Sequence, residues 1–256
     1  MRRSIPYFKR RFKRKWDSCY WLFDYFEGTI PELDSQKELF VFCSHSHEDH
    51  FSPSVFELAK KYPSVNYIFS NEVCNACKKL AKRESKELPV IHFLKSRTVT
   101  DFTTAAGEVM KIHTLLSTDC GCAFFIEYNG KSIYHAGDLH WWYWEGEDPD
   151  WNKKMTADYK KEMEYLEGKY IDLAFNVLDP RQEKDYALGM NYFLLIQDIY
   201  FLCISGMIFR LWKNTYRNFL YPMKLVFTFY EKMDIRLRLC YKKNKKFYKE
   251  ELFYEI

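Results

Sequence analysis

The middle of the chain alternates between short apolar runs with a strand-like composition and longer runs with helical spacing. Residues 38–44 and 65–70 are rich in β-branched and aromatic residues, which predicts two buried strands. Between them, Ser52 and Pro53 supply an N-cap and a proline at the first helical position, so we expect a helix to begin there. A second helix is predicted over residues 72–83.

The same alternation continues through the second half of this region. Asn129-Gly130 is a strong hairpin signal, because both residue types tolerate the positive φ of a type I′ turn. Further strands are predicted at residues 90–94, 109–116, 122–128, 131–135 and 171–178, and a helix at residues 157–168. Strands that alternate with helices and hairpins predict an α/β protein in which helices cover β-sheets.

The composition fits one sizeable domain with unusual ends. The chain has 256 residues, of which 47% are hydrophobic and 29% are charged, enough to bury a substantial core. We expect the main domain at residues 17–200, a basic segment at residues 1–16, and an atypical basic and aromatic segment at residues 201–256. The apolar stretch at residues 192–212 is interrupted by polar side chains, so we expect no transmembrane segment.

The cysteines and the N-terminus bear on the cellular compartment. The eight cysteines form no regular framework, and the basic start of the chain leads into a short, mixed apolar stretch rather than a signal peptide. We therefore expect reduced thiols and a cytoplasmic protein.

The net charge of +4 is distributed unevenly. Residues 1–16 contain eight basic and no acidic residues, and residues 210–256 contain twelve basic and five acidic residues. Residues 17–209 therefore carry a net charge of −11. Basic ends of this kind are typical of segments that bind nucleic acid or an anionic membrane, or of ends whose origin differs from that of the middle.

Four side chains with metal-binding groups follow the first predicted strand within six residues. They are His45, His47, Asp49 and His50. If the backbone stays extended, His45 and His47 project to the same side and can share one ion. Asp49 and His50 lie on the turn that follows and can reach a second ion. Imidazole and carboxylate groups at this density favour zinc, with iron or manganese as alternatives.

A second acidic side chain, Asp138, follows a predicted strand at a position where packing gives no reason for a carboxylate. Gly137-Asp138 follows the second strand of the predicted hairpin, and a carboxylate at this position can bridge two metal ions. Glycine at position 137 lets the backbone approach closely. Gly-Asp alone is a weak signal, but together with the histidine cluster it indicates a dinuclear site.

The two motifs together resemble the metallo-β-lactamase superfamily. The His-x-His-x-Asp-His run at residues 45–50 and the Gly-Asp within IYHAGDLHWW are similar to the metal motifs of that family. The segments LFDYFEG and DLAFNVLDPR resemble a bacterial branch of it, so that the likeness extends over about residues 17–195. The resemblance implies an αββα sandwich with the metals at one edge, here with atypical N- and C-terminal ends.

The resemblance also implies a role for each residue. His45 and His47 would bind the first ion, Asp49 and His50 the second, and Asp138 would bridge them. Such ions lower the pKa of a bound water and polarise a carbonyl or phosphoryl oxygen. Asp49 can also orient or deprotonate the attacking water. We therefore expect hydrolysis of an ester, lactone, thioester, amide or phosphodiester bond in a small-molecule substrate.

Two ligands of the family pattern are replaced or missing. The family supplies a further histidine between the two motifs, and this chain has Asp119 next to the turn where it is expected. Asp119 is our first candidate for that ligand and His113, within a predicted strand, is the second; each also fits a structural role. The family brings a final histidine from near its C-terminus, but the histidines of this chain stop at His140.

A shifted reading frame would explain the missing histidine. Permitted codons for residues 201–205, read two bases later, give Pro-Met-His-Phe, which resembles the family's closing strand. We therefore hypothesise that residues 201–256 are a frameshift product. Without that ligand, a catalytically silent family member is a second hypothesis. The basic ends leave a third, an RNA-processing nuclease.

Overall fold

The computed structural model describes residues 18–26, 30 and 32–196, and beyond them four strands at residues 202–204, 223–228, 235–243 and 246–254. The basic segment predicted at residues 1–16 and much of the segment at residues 201–256 lie outside the described residues. The chain forms two compact units, one built mainly of residues 16–208 and the other mainly of residues 209–256.

The first sheet consists of four parallel strands in the order β1-β2-β3-β4. They are β1 (Cys19–Phe23), β2 (Glu38–Cys43), β3 (Val65–Ser70) and β4 (Ile91–Leu94). The β2–β3 crossover contains a 3-10 helix (Pro53–Glu57) and α1 (Leu58–Lys61), and the β3–β4 crossover contains a 3-10 turn (Asn71–Val73) and α2 (Cys74–Glu84). The Ser52 side chain accepts a hydrogen bond from the Ser54 amide, so the N-cap lies where the sequence predicts it.

The second sheet has six strands in the order β10-β9-β8-β7-β6-β5. The strands β5 (Val99–Thr103), β6 (Val109–Leu116), β7 (Cys122–Tyr128) and β8 (Lys131–His135) are antiparallel neighbours, and β9 (Leu173–Asn176) and β10 (Leu202–Ile204) continue from β8 in parallel. Asn129 and Gly130 both have positive φ in the β7–β8 turn, as the hairpin signal predicts. The connections that follow β8 and β9 contain α3 (Pro149–Glu164), a 3-10 helix (Pro180–Asp185) and α4 (Leu188–Ile196).

Aromatic side chains fill the space between the two sheets. Trp21 on β1 contacts Tyr128 on β7 with ring centroids 5.7 Å apart, and Phe42 on β2 contacts Phe124 on β7 at 5.6 Å. Alternate residues of each strand point into this layer, as the two-residue period of a strand requires. The two sheets therefore pack face to face around a shared aromatic core.

Helices cover the opposite face of each sheet. On the first sheet, Val41 shares a buried cluster with Leu80 of α2. On the second sheet, Phe125 shares a buried cluster with Tyr159 of α3 and Phe193 of α4. The layer order is helix, sheet, sheet, helix, and the predicted αββα sandwich is confirmed.

The structure corrects the predicted helix at residues 157–168. The helix α3 begins at Pro149 and ends at Glu164, and the Asp148 side chain caps its first turn. Aspartate followed by proline is the same kind of start signal as Ser52 followed by Pro53.

The elements β1, β5 and α4 are not among those that the apolar pattern predicts.

The second unit contains one antiparallel sheet of three strands in the order β11-β12-β13. They are β11 (Met223–Thr228), β12 (Ile235–Lys243) and β13 (Lys246–Tyr254).

Among the helices of the described residues, none combines the length and the apolar character that crossing a membrane requires.

Candidate metal centre

The histidine motif begins where β2 leaves the first sheet. β2 ends at Cys43, and the following Ser44 and His45 are fully buried. The Ser44 carbonyl accepts a hydrogen bond from the Cys122 amide at 3.1 Å, which ties this strand end to the start of β7 in the other sheet. His45 is thereby held inside the protein at one edge of the sandwich.

Asp138 reaches the same edge from the second sheet. β8 ends at His135, and the turn through Gly137 carries Asp138 towards the histidines. Its Oδ2 lies 3.4 Å from Nε2 of His45, and its Oδ1 lies 3.3 Å from Nε2 of His50. The two oxygens of one carboxylate thus face two different imidazoles, as a bridging ligand would.

A buried carboxylate directly after β1 holds the motif from the other side. Asp24 accepts hydrogen bonds from the amide and the hydroxyl of Ser44, both at 2.7 Å, and its Oδ2 lies 2.8 Å from Nδ1 of His50. An Nδ1–H group that donates to a carboxylate leaves Nε2 as the basic nitrogen, and Nε2 of His50 is the atom that faces Asp138. Asp24 therefore orients His50.

The ionised groups of the cluster stabilise one another. Burial by itself would raise the pKa of Asp138, but His45 and His50 lower it well below its usual range. Burial disfavours the charged form of His50, yet its interactions with Asp138 and Asp24 raise its pKa to about 11. Burial also opposes ionisation of Asp24, but the charge of His135 and the hydrogen bond with His50 lower its pKa to about 2. Asp24 and Asp138 thus favour a positive charge between them, and a metal ion bound at Nε2 of His50 would take the place of the proton there.

The residues His45, His47 and Asp138 fit a bound cation. One ligating atom of each lies within 4.8 Å of those of the other two. Nε2 of His45 is buried and makes no hydrogen bond within the described part of the chain, although Asp138 is nearby. Leaving a buried polar atom without a partner costs free energy. A cation at this nitrogen would remove that cost.

His47 and Asp49 lie on the exposed side of the cluster. Both residues are exposed, in contrast to the fully buried His45. The Asp49 side chain is 62% exposed, and its Oδ2 lies 3.9 Å from Nε2 of His50. The motif therefore runs from a buried imidazole to a solvent-facing carboxylate within a few residues.

Of the two candidates for the further ligand, the structure brings Asp119 to the cluster. Asp119 lies in the β6–β7 loop, where it forms a second group with His47 and Cys120 whose ligating atoms again lie within 4.8 Å of one another. His113 lies on β6 with its Nε2 2.7 Å from Oε2 of Glu127, and its other ring nitrogen meets a tyrosine hydroxyl. His113 therefore has a structural role on the second sheet.

The sequence matches no protein-family profile. The structure is similar to that of human tRNase Z, short form, with a TM-score of 0.41 and 12% identity over 68% of this chain and 79% of that chain. It is also similar to YhfI from Bacillus subtilis, a metallo-beta-lactamase fold protein, with a TM-score of 0.38 and 13% identity over 72% of each chain. The layer order of this chain is helix, sheet, sheet, helix, and residues 45–50 and Asp138 lie together at one sheet edge.

Two contacts that support the histidine motif cannot be recognised from the sequence. Glu72, just before α2, accepts hydrogen bonds from the amide and the hydroxyl of Ser46, both at 2.7 Å. Gly121 lies so close to the motif that a Cβ there would stand 1.9 Å from the Ser44 carbonyl oxygen. Neither contact leaves a local sequence signal, because each joins residues that are distant along the chain.

Two further histidines near Asp138 have partners of their own. His135 stacks on Phe23 with ring centroids 4.8 Å apart, and its Nδ1 accepts a hydrogen bond from the Gly137 amide. His140 is fully buried with its Nε2 2.7 Å from Oε1 of Gln182, and burial lowers its pKa to about 4. His140 is therefore a neutral, structural residue.

The end of β10 lies at the sheet edge where the metal motifs meet. The strands β8, β9 and β10 run in parallel, so their carboxyl ends lie side by side, and Asp138 follows the first of them. The sequence contains no histidine beyond His140. The final histidine that the resemblance implies therefore has no counterpart in the printed sequence.

Proposed function

We propose that this protein is a metal-dependent hydrolase that holds one or two zinc ions, with iron or manganese as alternatives. The observation that carries the proposal is the Asp138 carboxylate between Nε2 of His45 and Nε2 of His50. Packing alone gives no reason to assemble two imidazoles and a carboxylate at a sheet edge around the buried Nε2 of His45, which has no hydrogen bond among the residues that the structure describes.

Each residue has a role in this proposal. The first ion would be held by His45, His47 and Asp138 with Asp119 as a further ligand, and the second would be held by Asp49, His50 and Asp138. Ions bound in this way lower the pKa of a water molecule towards neutrality and so supply hydroxide at pH 7. Asp49 is exposed on the solvent side of the cluster, where its carboxylate would orient an attacking water and accept its proton.

A cation beside the cluster favours substrates with negative charge. Arg181 donates three hydrogen bonds to the carboxylate of the buried Asp179, and its side chain is 65% exposed. These bonds are the largest cause of the raised pKa of Arg181, and the charges of Asp138 and Asp49 act in the same direction. Among ester, lactone, thioester, amide and phosphodiester substrates, we therefore rank the phosphodiester first.

Metal analysis and turnover of the purified protein test the proposal. We expect one or two transition-metal ions per chain and metal-dependent hydrolysis of a chromogenic phosphodiester. His47→Ala should remove at least one ion and reduce turnover by about a hundredfold or more. The effect is large because the variant loses a metal ligand itself, and not merely a residue that hydrogen-bonds to a ligand. His92→Ala is the matched control, because His92 is exposed on β4 and packs edge-on against Phe102. Protein that stays free of metal after reconstitution with zinc would reject the proposal.

The missing final histidine favours a second candidate, a catalytically silent member that keeps half of the site. That protein would hold about one ion tightly and show no turnover with any of the substrate classes named above.

We also propose a cytoplasmic location, because the six cysteines in the described residues are free thiols, as is typical of a reducing compartment.

A further inference from the structure

Three ligating side chains meet on the solvent side of the histidine motif. One ligating atom each of His47, Asp119 and Cys120 lies within 4.8 Å of those of the other two. Two donors bound to one tetrahedral zinc ion stand about 3.5 Å apart, so a small closure of side chains would bring all three into coordination. His47 also belongs to the group with His45 and Asp138. An ion at His47 therefore has candidate donors from two segments of the chain.

The loop between β6 and β7, which carries Asp119 and Cys120, is fixed against the motif. The Cys122 amide donates to the Ser44 carbonyl at 3.1 Å, and Gly121 lacks the Cβ that would strike that same carbonyl. The Thr118 hydroxyl donates to the His140 carbonyl at 2.6 Å and accepts from the His140 amide at 3.1 Å. A loop held in this way has little conformational entropy left to lose when its side chains bind a ligand.

Cys120 differs from the other described cysteines in its surroundings. Four of them, Cys19, Cys43, Cys77 and Cys122, are buried, whereas Cys74 and Cys120 are partly exposed. Cys120 alone of these two lies within reach of a histidine and a carboxylate, with its Sγ 3.8 Å from Oδ1 of Asp119. A thiolate is a soft ligand that zinc accepts readily.

We propose that Cys120 binds, as a thiolate, the ion that His47 holds, and that Asp119 and Cys120 together complete that coordination sphere. The inference rests on the proposed metal centre and adds a sulfur ligand to it. On binding, the thiol proton goes to solvent and the sulfur donates an electron pair to the ion. The resulting mixed set of nitrogen, oxygen and sulfur donors favours zinc over manganese, which prefers oxygen ligands.

Substitution of cobalt for zinc in the full chain tests the sulfur ligand directly. Cobalt bound to a thiolate shows an intense charge-transfer absorption in the near ultraviolet, whereas cobalt bound to nitrogen and oxygen ligands shows only its weak visible bands. We expect the charge-transfer band in the unmodified protein and its loss in Cys120→Ser, together with a fall in metal affinity of about tenfold or more. Cys74→Ser is the matched control, since it removes the other partly exposed thiol, and it should keep both properties.

The outcomes separate this inference from the proposed function. Cobalt that binds with visible bands but without the charge-transfer band overturns the sulfur ligand and leaves the metal centre intact. A charge-transfer band that persists in Cys120→Ser also overturns it, because another thiol then supplies the sulfur. A protein that binds no cobalt overturns both proposals.

A second measurement on the unmodified chain covers the case in which Cys120→Ser fails to fold. Saturating zinc should slow alkylation of Cys120, mapped by mass spectrometry, by about tenfold or more, because a bound sulfur is withdrawn from the reagent. Alkylation of Cys74 should not change. Equal alkylation rates of Cys120 with and without zinc would overturn the inference.

Discussion

At the scale of single residues, Asp24 determines which nitrogen of His50 faces Asp138 and the proposed metal centre. It links the end of β1 to the histidine motif through Ser44 and His50. Its backbone has a φ of 44°, a left-handed conformation that costs a non-glycine residue about 1–2 kcal/mol. The three hydrogen bonds to its carboxylate offset that cost, since those that involve a charged group are the stronger kind.

We expect Asp24→Asn to weaken retention of the ion at His50 by about 10–100-fold, the usual effect of losing an outer partner of a metal ligand. The asparagine NH₂ group would donate to Nδ1 of His50, which moves the ring proton to Nε2, the nitrogen that should bind metal. Metal content after dialysis against a graded chelator series measures the effect. Asp101→Asn removes an exposed carboxylate that pairs with Lys111 and should change nothing. Equal metal retention in both variants would argue against the orienting role of Asp24.

At the scale of elements, the proposed metal centre depends on a close contact between the β6–β7 loop of the second sheet and the end of β2 in the first sheet. The β6–β7 loop passes over the end of β2, where the Cys122 amide bonds the Ser44 carbonyl. Gly121 makes this approach feasible because it has a φ of +71° and no side chain. The crossing brings Asp119 and Cys120 from the second sheet beside His47 from the first.

Gly121→Ala should lower the free energy of unfolding by roughly 2–5 kcal/mol, the sum of a left-handed alanine and an overpacked contact. Its Cβ would stand 1.9 Å from the Ser44 carbonyl oxygen, so the backbone must shift. Gly107→Ala is the control, because Gly107 has a φ of +78° but no atom within 4 Å of an added Cβ. That variant should lose only about 1–2 kcal/mol. Urea unfolding of both variants measures the difference, and equal losses would mean that the crossing is not tight.

At the scale of the whole molecule, the middle of the chain is acidic and both ends of the chain are basic. Residues 17–209, which contain every candidate ligand, carry a net charge of −11, whereas residues 1–16 and 210–256 are strongly basic. A polyanion such as RNA would meet repulsion around the metal centre and attraction only at the ends. This distribution favours a small substrate over RNA and fits ends of a different origin.

The frameshift hypothesis makes a prediction about the gene. The nucleotide sequence across codons 195–215 should contain a histidine codon in the frame two bases downstream, close to the end of β10 (Leu202–Ile204). A chain with that frame restored should bind a second ion more tightly, since β10 ends at the sheet edge that holds Asp138. A gene without a histidine codon in that frame would refute the hypothesis.

The sequence by itself determined the parts of this protein that depend on neighbours along the chain. The strands at residues 65–70, 122–128 and 131–135 and the turn at Asn129-Gly130 agree with their predicted positions, because side-chain alternation and turn chemistry are local properties. The spacing of the histidine motif likewise showed which residues could bind metal. The start of α3 at Pro149 was missed by the predicted helix at residues 157–168, although Asp148 followed by proline is a local start signal.

Only the tertiary structure decided how those residues meet. It placed Asp119, the first candidate for the further ligand, beside His47 and left His113, the second candidate, with Glu127. It also supplied the contacts of Asp24 with His50 and of Glu72 with Ser46. These pairs join separate strands and loops, and the packing of two sheets, rather than any local pattern, sets the distances between them.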